Sequence, residues 1–180
     1  MTTDGEIIRQ FKDPEQKEAA FRLLVEKYQE RLYWHIRKIV LDHEDTDDVL
    51  QESFLKTWKK LSGFRAESGL YTWLYRVATN EALTFLKQKK RRTLPAIEDM
   101  EAHLAENLES DAFFHGDEIQ KKLQEAILKL PEKQRVVFNM KYFDEMKYDD
   151  MSEILDTSVG ALKASYHHAV KKIESFFNKD

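Results

Sequence analysis

Asp47, Asp48, Gln51 and Glu52 put three carboxylates and an amide within about two turns of one helix, and Tyr71, Arg76 and Asn80 are followed at once by Lys87, Lys89, Lys90, Arg91 and Arg92. The first group is a polar shoulder that can hold a partner. It is no metal cradle, because Asp47 and Asp48, as helix neighbours, diverge by about 100°. The second group suits a different chemistry. A ring stacks on a base, an amide offers a donor and an acceptor to a base edge, and a run of five cations binds phosphates. That combination is what single-stranded nucleic acid requires. The six histidines are scattered, and the adjacent His167 and His168 lack an accompanying cluster of ligands. With no cysteine there is no thiolate metal site and no disulfide framework. The phosphate-loop, dinucleotide and nucleophile-elbow patterns are all missing, so nothing argues for an enzyme, a metal or a cofactor.

These residues need helices to position them. Leu50, Phe54, Trp58 and Leu61 recur at spacings of four, four and three, which predicts an amphipathic helix with the acids on its solvated side. A loop from Phe64 through Arg65 and Ser68 to Gly69 leads to a second helix with Trp73, Leu74, Val77, Ala78 and Leu86 in its apolar stripe and Trp73 mainly core. Tyr71, Arg76 and Asn80 stand beside that stripe. Upstream, Glu6 to Phe11 reads as a short helix and Glu15 to Ile39 as a long one, with Asp13 as its cap and Pro14 in its first turn. Asp42 to Asp45 reads as a polar turn or a distorted helical junction. Each helix has one apolar stripe to bury, so a three- or four-helix unit closing near Lys90 is the economical packing.

The composition, 42% apolar and 34% charged with few glycines and prolines, favours a folded helical chain over a disordered one. The net charge of -4 argues against a non-specific nucleic-acid binder, so a DNA reading rests on local charge. That charge is unevenly placed: +3 over residues 1–92, -8 over 93–118 and +1 over 119–180. The expected architecture is therefore all-α, with a helical domain over 1–92, an acidic linker over 93–118 and a second helical domain over 119–180. No apolar run is long enough for a signal peptide or a membrane span, and the cytoplasm is the expected compartment.

In the second domain Ile119, Leu123, Ile127 and Leu130 form one stripe, and Pro131 opens a helix carrying Val136, Val137, Met140 and Phe143. Tyr148 to Leu155, the three residues Asp156, Thr157 and Ser158, and a helix from Val159 to about Phe177 then give a helix-turn-helix pattern with Ser158 as N-cap. Val159, Leu162, Tyr166, Ala169, Val170 and Ile173 supply burial. Lys163, Ser165, His167, Lys171 and Lys172 can face a duplex, and the backbone N–H groups of Val159, Gly160 and Ala161 can hold phosphate.

The chain resembles the bacterial extracytoplasmic-function sigma factors, compact members of the sigma-70 family with regions 2 and 4 only. Asp47-Asp48-Val49-Leu50-Gln51-Glu52-Ser53-Phe54, Phe64-Arg65 and the run Tyr71 to Asn80 resemble region 2. Leu130 to Phe138 and Ser158-Val159-Gly160-Ala161-Leu162-Lys163 resemble region 4. The resemblance implies that Asp47, Asp48, Gln51 and Glu52 touch the β′ clamp helices of RNA polymerase core. It implies that the Phe64 to Tyr71 loop with Asn80 holds the non-template strand of the opened -10 element, and that the helix over 159–172, opened by Ser158, reads the -35 duplex. It also implies that the acidic linker follows a path otherwise used by nucleic acid. Family members are commonly held inactive by an anti-sigma factor, and no residue here establishes one. This chain departs from the family at Lys147, Asp156, Ser165 and His168, where relatives often place a capping Ser or Thr, a Gly and two arginines. Two other readings stand beside it. A stand-alone helix-turn-helix regulator does not need the acidic shoulder, and a helical adaptor without DNA binding does not need the basic run after Asn80.

Overall fold

The computed structural model describes residues 2–92 and 118–178, and among them the fold is all-α. The chain divides into two compact units. The first is built on α1 (Asp4–Phe11), α2 (Lys17–Val40), α3 (His43–Lys60), a 3-10 turn (Leu61–Gly63) and α4 (Leu70–Arg92). The second is built on α5 (Glu118–Leu128), α6 (Glu132–Tyr142), α7 (Tyr148–Leu155) and α8 (Val159–Phe177). Of the acidic stretch 93–118, only Glu118, which opens α5, is among the described residues. The expected cytoplasmic compartment narrows to a statement about helices: among the described residues, none is long and apolar enough to cross a membrane.

Local chemistry sets the helix ends. Thr3 and Glu6 form a reciprocal capping box at the start of α1, a pairing the sequence reading did not anticipate. Asp13 does not cap α2 as expected. Its carboxylate accepts from the Glu15 N–H at 3.0 Å and from Gln16 Nε2 at 2.7 Å, which folds residues 13–16 into a turn and starts α2 at Lys17. Leu41, at φ 73°, ends α2 in the left-handed region, and the Arg37 guanidinium donates to its carbonyl. Of the two readings of Asp42 to Asp45, the structure has the helical junction rather than the polar turn: Asp42 is the N-cap of α3 and accepts from the Asp45 N–H at 3.0 Å.

In the first unit α2 packs against both α1 and α3. Leu24, Leu32, Ile36 and Ile39 line its buried side, as the periodicity of α2 predicts, each worth about 1.5–3 kcal/mol when fully buried. The buried line of α3 differs from the expected stripe. Thr46, Val49, Ser53 and Thr57 face inward, while Leu50, Phe54 and Trp58 are half-buried on the flank. Polar residues can take that line because each hydroxyl donates back to a carbonyl one turn earlier: Thr46 to Asp42, Ser53 to Val49 and Thr57 to Ser53. Their small size lets α3 approach α2 closely. Phe54 and Trp58 then meet the Phe21 ring edge-on at 6.3 and 5.0 Å.

In the second unit Ala126, Ile127, Leu130, Phe138, Ala169 and Ile173 form the core shared by α5, α6 and α8. Ile119 falls outside it and is 69% exposed, so the α5 stripe begins at Leu123. The helix-turn-helix boundaries coincide with those read from sequence. Asp156 ends α7 at φ 49° and ψ 49°, and Ser158 caps α8 by accepting from the Ala161 N–H at 3.3 Å. Lys147 gives α7 no side-chain cap, as its ammonium has nothing to accept with.

Candidate nucleic-acid interface

On α3, Asp47, Asp48, Gln51 and Glu52 are all exposed. At about 100° per residue they span an arc of about 140°, directly opposite the buried Thr46, Val49, Ser53 and Thr57 line. Leu55, 46% exposed, falls in the middle of that arc and was not among the residues singled out from sequence. A large apolar side chain between acids gives this face both charge and a contact surface. His43 lies at its upper edge, with Nδ1 2.6 Å from the Tyr33 hydroxyl and Nε2 3.8 Å from Asp47.

On α4, Arg76 and Asn80 are exposed, and one helical ridge carries Trp73, Arg76, Asn80, Lys87 and Arg91. The ridge runs about 27 Å at 1.5 Å per residue. Lys89, Lys90 and Arg92 are exposed on the other sides of the same end, so the basic run surrounds the helix rather than extending one face. Two expectations change here. Tyr71 lies about half a turn away from Asn80, half-buried with its ring 4.3 Å from Tyr75, so it is not on the ridge. Trp73, expected mainly in the core, is half-exposed on the ridge.

Phe64 explains that exchange. It is buried, 7% exposed, and its ring lies 5.4 Å from that of Trp73. The loop aromatic therefore packs on the helix aromatic, which leaves Trp73 half-buried beside the exposed Arg76. Between them the loop carries an exposed Arg65, a half-buried Ser68 and Ala66 at φ 56°. A left-handed alanine costs roughly 1 kcal/mol and marks a loop held in shape by its surroundings.

Asn80 sits between two engaged neighbours. Thr79 is buried, with Oγ1 2.7 Å from His35 Nε2 and donating to the Tyr75 carbonyl at 2.6 Å. Glu81 accepts from Lys56 of α3. Among the described residues nothing hydrogen-bonds the Asn80 amide, which leaves both its donor and its acceptor for a ligand.

On α8 the exposed side is an arc whose middle line is Gly160, Ala164, His167 and Lys171, flanked by Lys163 and His168. Leu162, Ala169 and Ile173 are buried opposite, with Val159, Tyr166 and Val170 half-buried between. Ser165 is half-buried at the margin of the arc, whereas His168, on its flank, is exposed. Ser158 is exposed at the helix start, beside the N–H groups of Val159 and Gly160. Lys163 Nζ lies 5.7 Å from the centre of the Tyr148 ring, and Lys141 Nζ lies 4.8 Å from the same ring. One aromatic ring thus has two cations near it, one of them from the first turns of α8.

Comparison with known proteins matches these two sites separately. Residues 24–92 match the model of sigma-70 region 2, and residues 120–173 match that of sigma-70 region 4. An ECF RNA polymerase sigma-E factor of Haemophilus influenzae is 31% identical over 96% of this chain and 94% of that protein. An RNA polymerase sigma-H factor of Pseudomonas aeruginosa is 33% identical over 86% and 84%. The ECF RNA polymerase sigma-E factor of Escherichia coli K12 is 31% identical over 96% and 93%. Among solved structures, CnrH in complex with the cytosolic domain of CnrY superposes with a TM-score of 0.69 at 20% identity, over 97% of this chain and 96% of that one. The sigma factor RpoE of Bartonella quintana, in complex with the anti-sigma factor NepR, gives 0.67 at 17% identity, over 89% and 98%. With both regions matched in order and relatives above 30% identity along nearly its whole length, the chain belongs to the ECF group of the sigma-70 family and carries regions 2 and 4.

Proposed function

We propose that this chain is the promoter-specificity subunit of a bacterial RNA polymerase: it directs the core enzyme to promoters and performs no catalysis of its own. The observation that carries the finer reading is the α4 ridge, where a half-exposed Trp73, the free Asn80 amide and the cations Arg76, Lys87 and Arg91 follow one another along a single helix face. Core polymerase docks on the acidic arc of α3, at Asp47, Asp48, Gln51 and Glu52 around Leu55. The loop from Phe64 through Arg65 and Ser68, with Arg76 and Asn80, takes the non-template strand at -10. Phe64 shapes that site from behind Trp73. Lys87, Lys89, Lys90, Arg91 and Arg92 follow the phosphate backbone, and the exposed side of α8 takes the -35 duplex.

The names of the relatives, RNA polymerase sigma factors over nearly the whole length, support the function. RpoE is bound by an anti-sigma factor and CnrH by CnrY, which supports an inhibitory partner for this chain as well. The test is transcription by purified core polymerase on a random promoter library, with and without the chain. The chain is expected to be required for a distinct set of start sites. An identical set from core alone would overturn the proposal, and duplex binding that ignores core would favour a stand-alone regulator.

A further inference from the structure

Two adjacent imidazoles, His167 and His168, stand on the exposed side of α8, their ring centres 6.0 Å apart. His167 lies on the middle line between Ala164 and Lys171, one turn from Lys163 on one side and from Lys171 on the other. His168 borders a groove lined by Lys129 and Leu130, by Gln134 of α6, and by Lys171 and Lys172. The charged groups facing it are therefore Lys129 from just beyond α5 and Lys171 and Lys172 from its own helix, while α6 presents the neutral Gln134. The nearest acid along α8 is Glu174, about 9 Å beyond His168 and two turns past His167. Three lysines line this groove, and among the described residues no acid does, so a phosphate is drawn to it.

We propose that His168, together with His167, meets DNA phosphate as the protonated imidazolium, so that duplex binding by α8 takes up protons. An imidazole changes charge within the physiological pH range, and an anion held against it favours the charged form. Lysines supply a constant charge over the same range, so they contribute affinity without pH dependence. The sign follows from linkage. The bound form holds the proton more tightly than the free form, so affinity rises as pH falls through the range in which imidazole titrates and levels off once both forms are protonated. One fully coupled proton changes affinity by up to about tenfold per pH unit. The proposal rests on reading α8 as the duplex-facing helix, and it adds His168 to the contacts and a proton to the binding reaction.

The test uses the chain assembled with core polymerase on a promoter selected by that holoenzyme, with promoter affinity measured between pH 8 and pH 6.5. The wild type is compared with the His167→Gln, His168→Gln double variant, so that pH effects on core cancel in the ratio. Wild type is expected to gain over the double variant by about threefold or more on going to the lower pH, with a steeper salt dependence there. His168→Arg, with a fixed charge, is expected to remove the contribution of that residue to the pH dependence while keeping the affinity. Both side chains are exposed, so the substitutions leave folding intact. A constant ratio across the pH range would overturn the proposal while leaving the promoter-reading function standing. Failure of the holoenzyme to select any promoter would overturn both.

Discussion

Asn80 is held in place by residues that cannot easily move. Thr79 ties α4 to α2 through His35, and Glu81 ties it to α3 through Lys56. A polar group with a free donor and acceptor, carried on a clamped helix, meets a ligand without first being ordered. Asn80→Ala is therefore expected to leave the melting temperature and core association unchanged and to lower open-complex formation sharply. If Asn80 acts in opening, the defect shrinks on a template already unpaired at -10; if it recognises the displaced base, the defect persists there and changes with the base. Equal transcription by both proteins on both templates would remove it from the site. Tyr28 makes the contrasting case of a structural polar residue. Its buried hydroxyl donates to Asp4 at 2.7 Å, and burial, then that bond and the Asp4 charge, push its pKa above the ordinary tyrosine range. Tyr28→Phe is expected to cost about 1 kcal/mol in urea unfolding with no change in m-value. Because the native state holds the phenolic proton more tightly, wild-type stability is present below the ordinary tyrosine pKa near 10 and falls as pH rises above it. The variant lacks that alkaline limb, and finding it intact would refute the assignment. Sequence spacing set Asn80 beside the apolar stripe of α4, and its exposure there was legible for that reason. It hid Trp73, because whether a half-apolar ring is covered depends on where Phe64 folds back.

An α-helix sorts its residues by angle, and α3 shows both the strength and the limit of that rule. The arc carrying Asp47, Asp48, Gln51 and Glu52 was legible from spacing alone. The buried line of Thr46, Ser53 and Thr57 was not, because hydroxyls read as polar until their bonds to the preceding turn are seen. The same geometry separates Tyr71 from Asn80, since nine residues carry a helix through half a turn beyond two full ones. Charge reversal at Asp48 and Glu52 is expected to weaken core binding while shifting stability by less than about 0.5 kcal/mol, as both side chains are exposed. Undiminished affinity for core in a pull-down or fluorescence titration would leave the arc as a solvated face. On α8, Lys163→Ala is expected to weaken duplex binding at all sequences and to lower the salt dependence by about one phosphate contact. An unchanged salt slope would mean that the Tyr148 ring keeps this ammonium to itself. The boundaries of α7 and α8 were readable because Ser158 caps and Asp156 turns, chemistry local enough to be written in three residues.

At the scale of the whole chain, charge is distributed by task. Helix α4 ends in a run of cations, the stretch 93–118 holds eight acids and no Lys or Arg, and α8 carries Lys163, Lys171 and Lys172 on its exposed side. Under the proposed function the first unit holds an opened strand and the second faces a duplex, and both address the same DNA molecule. The most direct test is to sequence the promoters that the holoenzyme selects from a random library using the wild-type chain, Asn80→Ala and Ala164→Gln. The wild type is expected to enrich two separated sequence blocks. Asn80→Ala should relax the -10 block and leave the -35 block intact, and Ala164→Gln, which changes the exposed middle line of α8, should do the reverse. A single block, or two blocks that weaken together in both variants, would contradict the assignment of one promoter element to each unit.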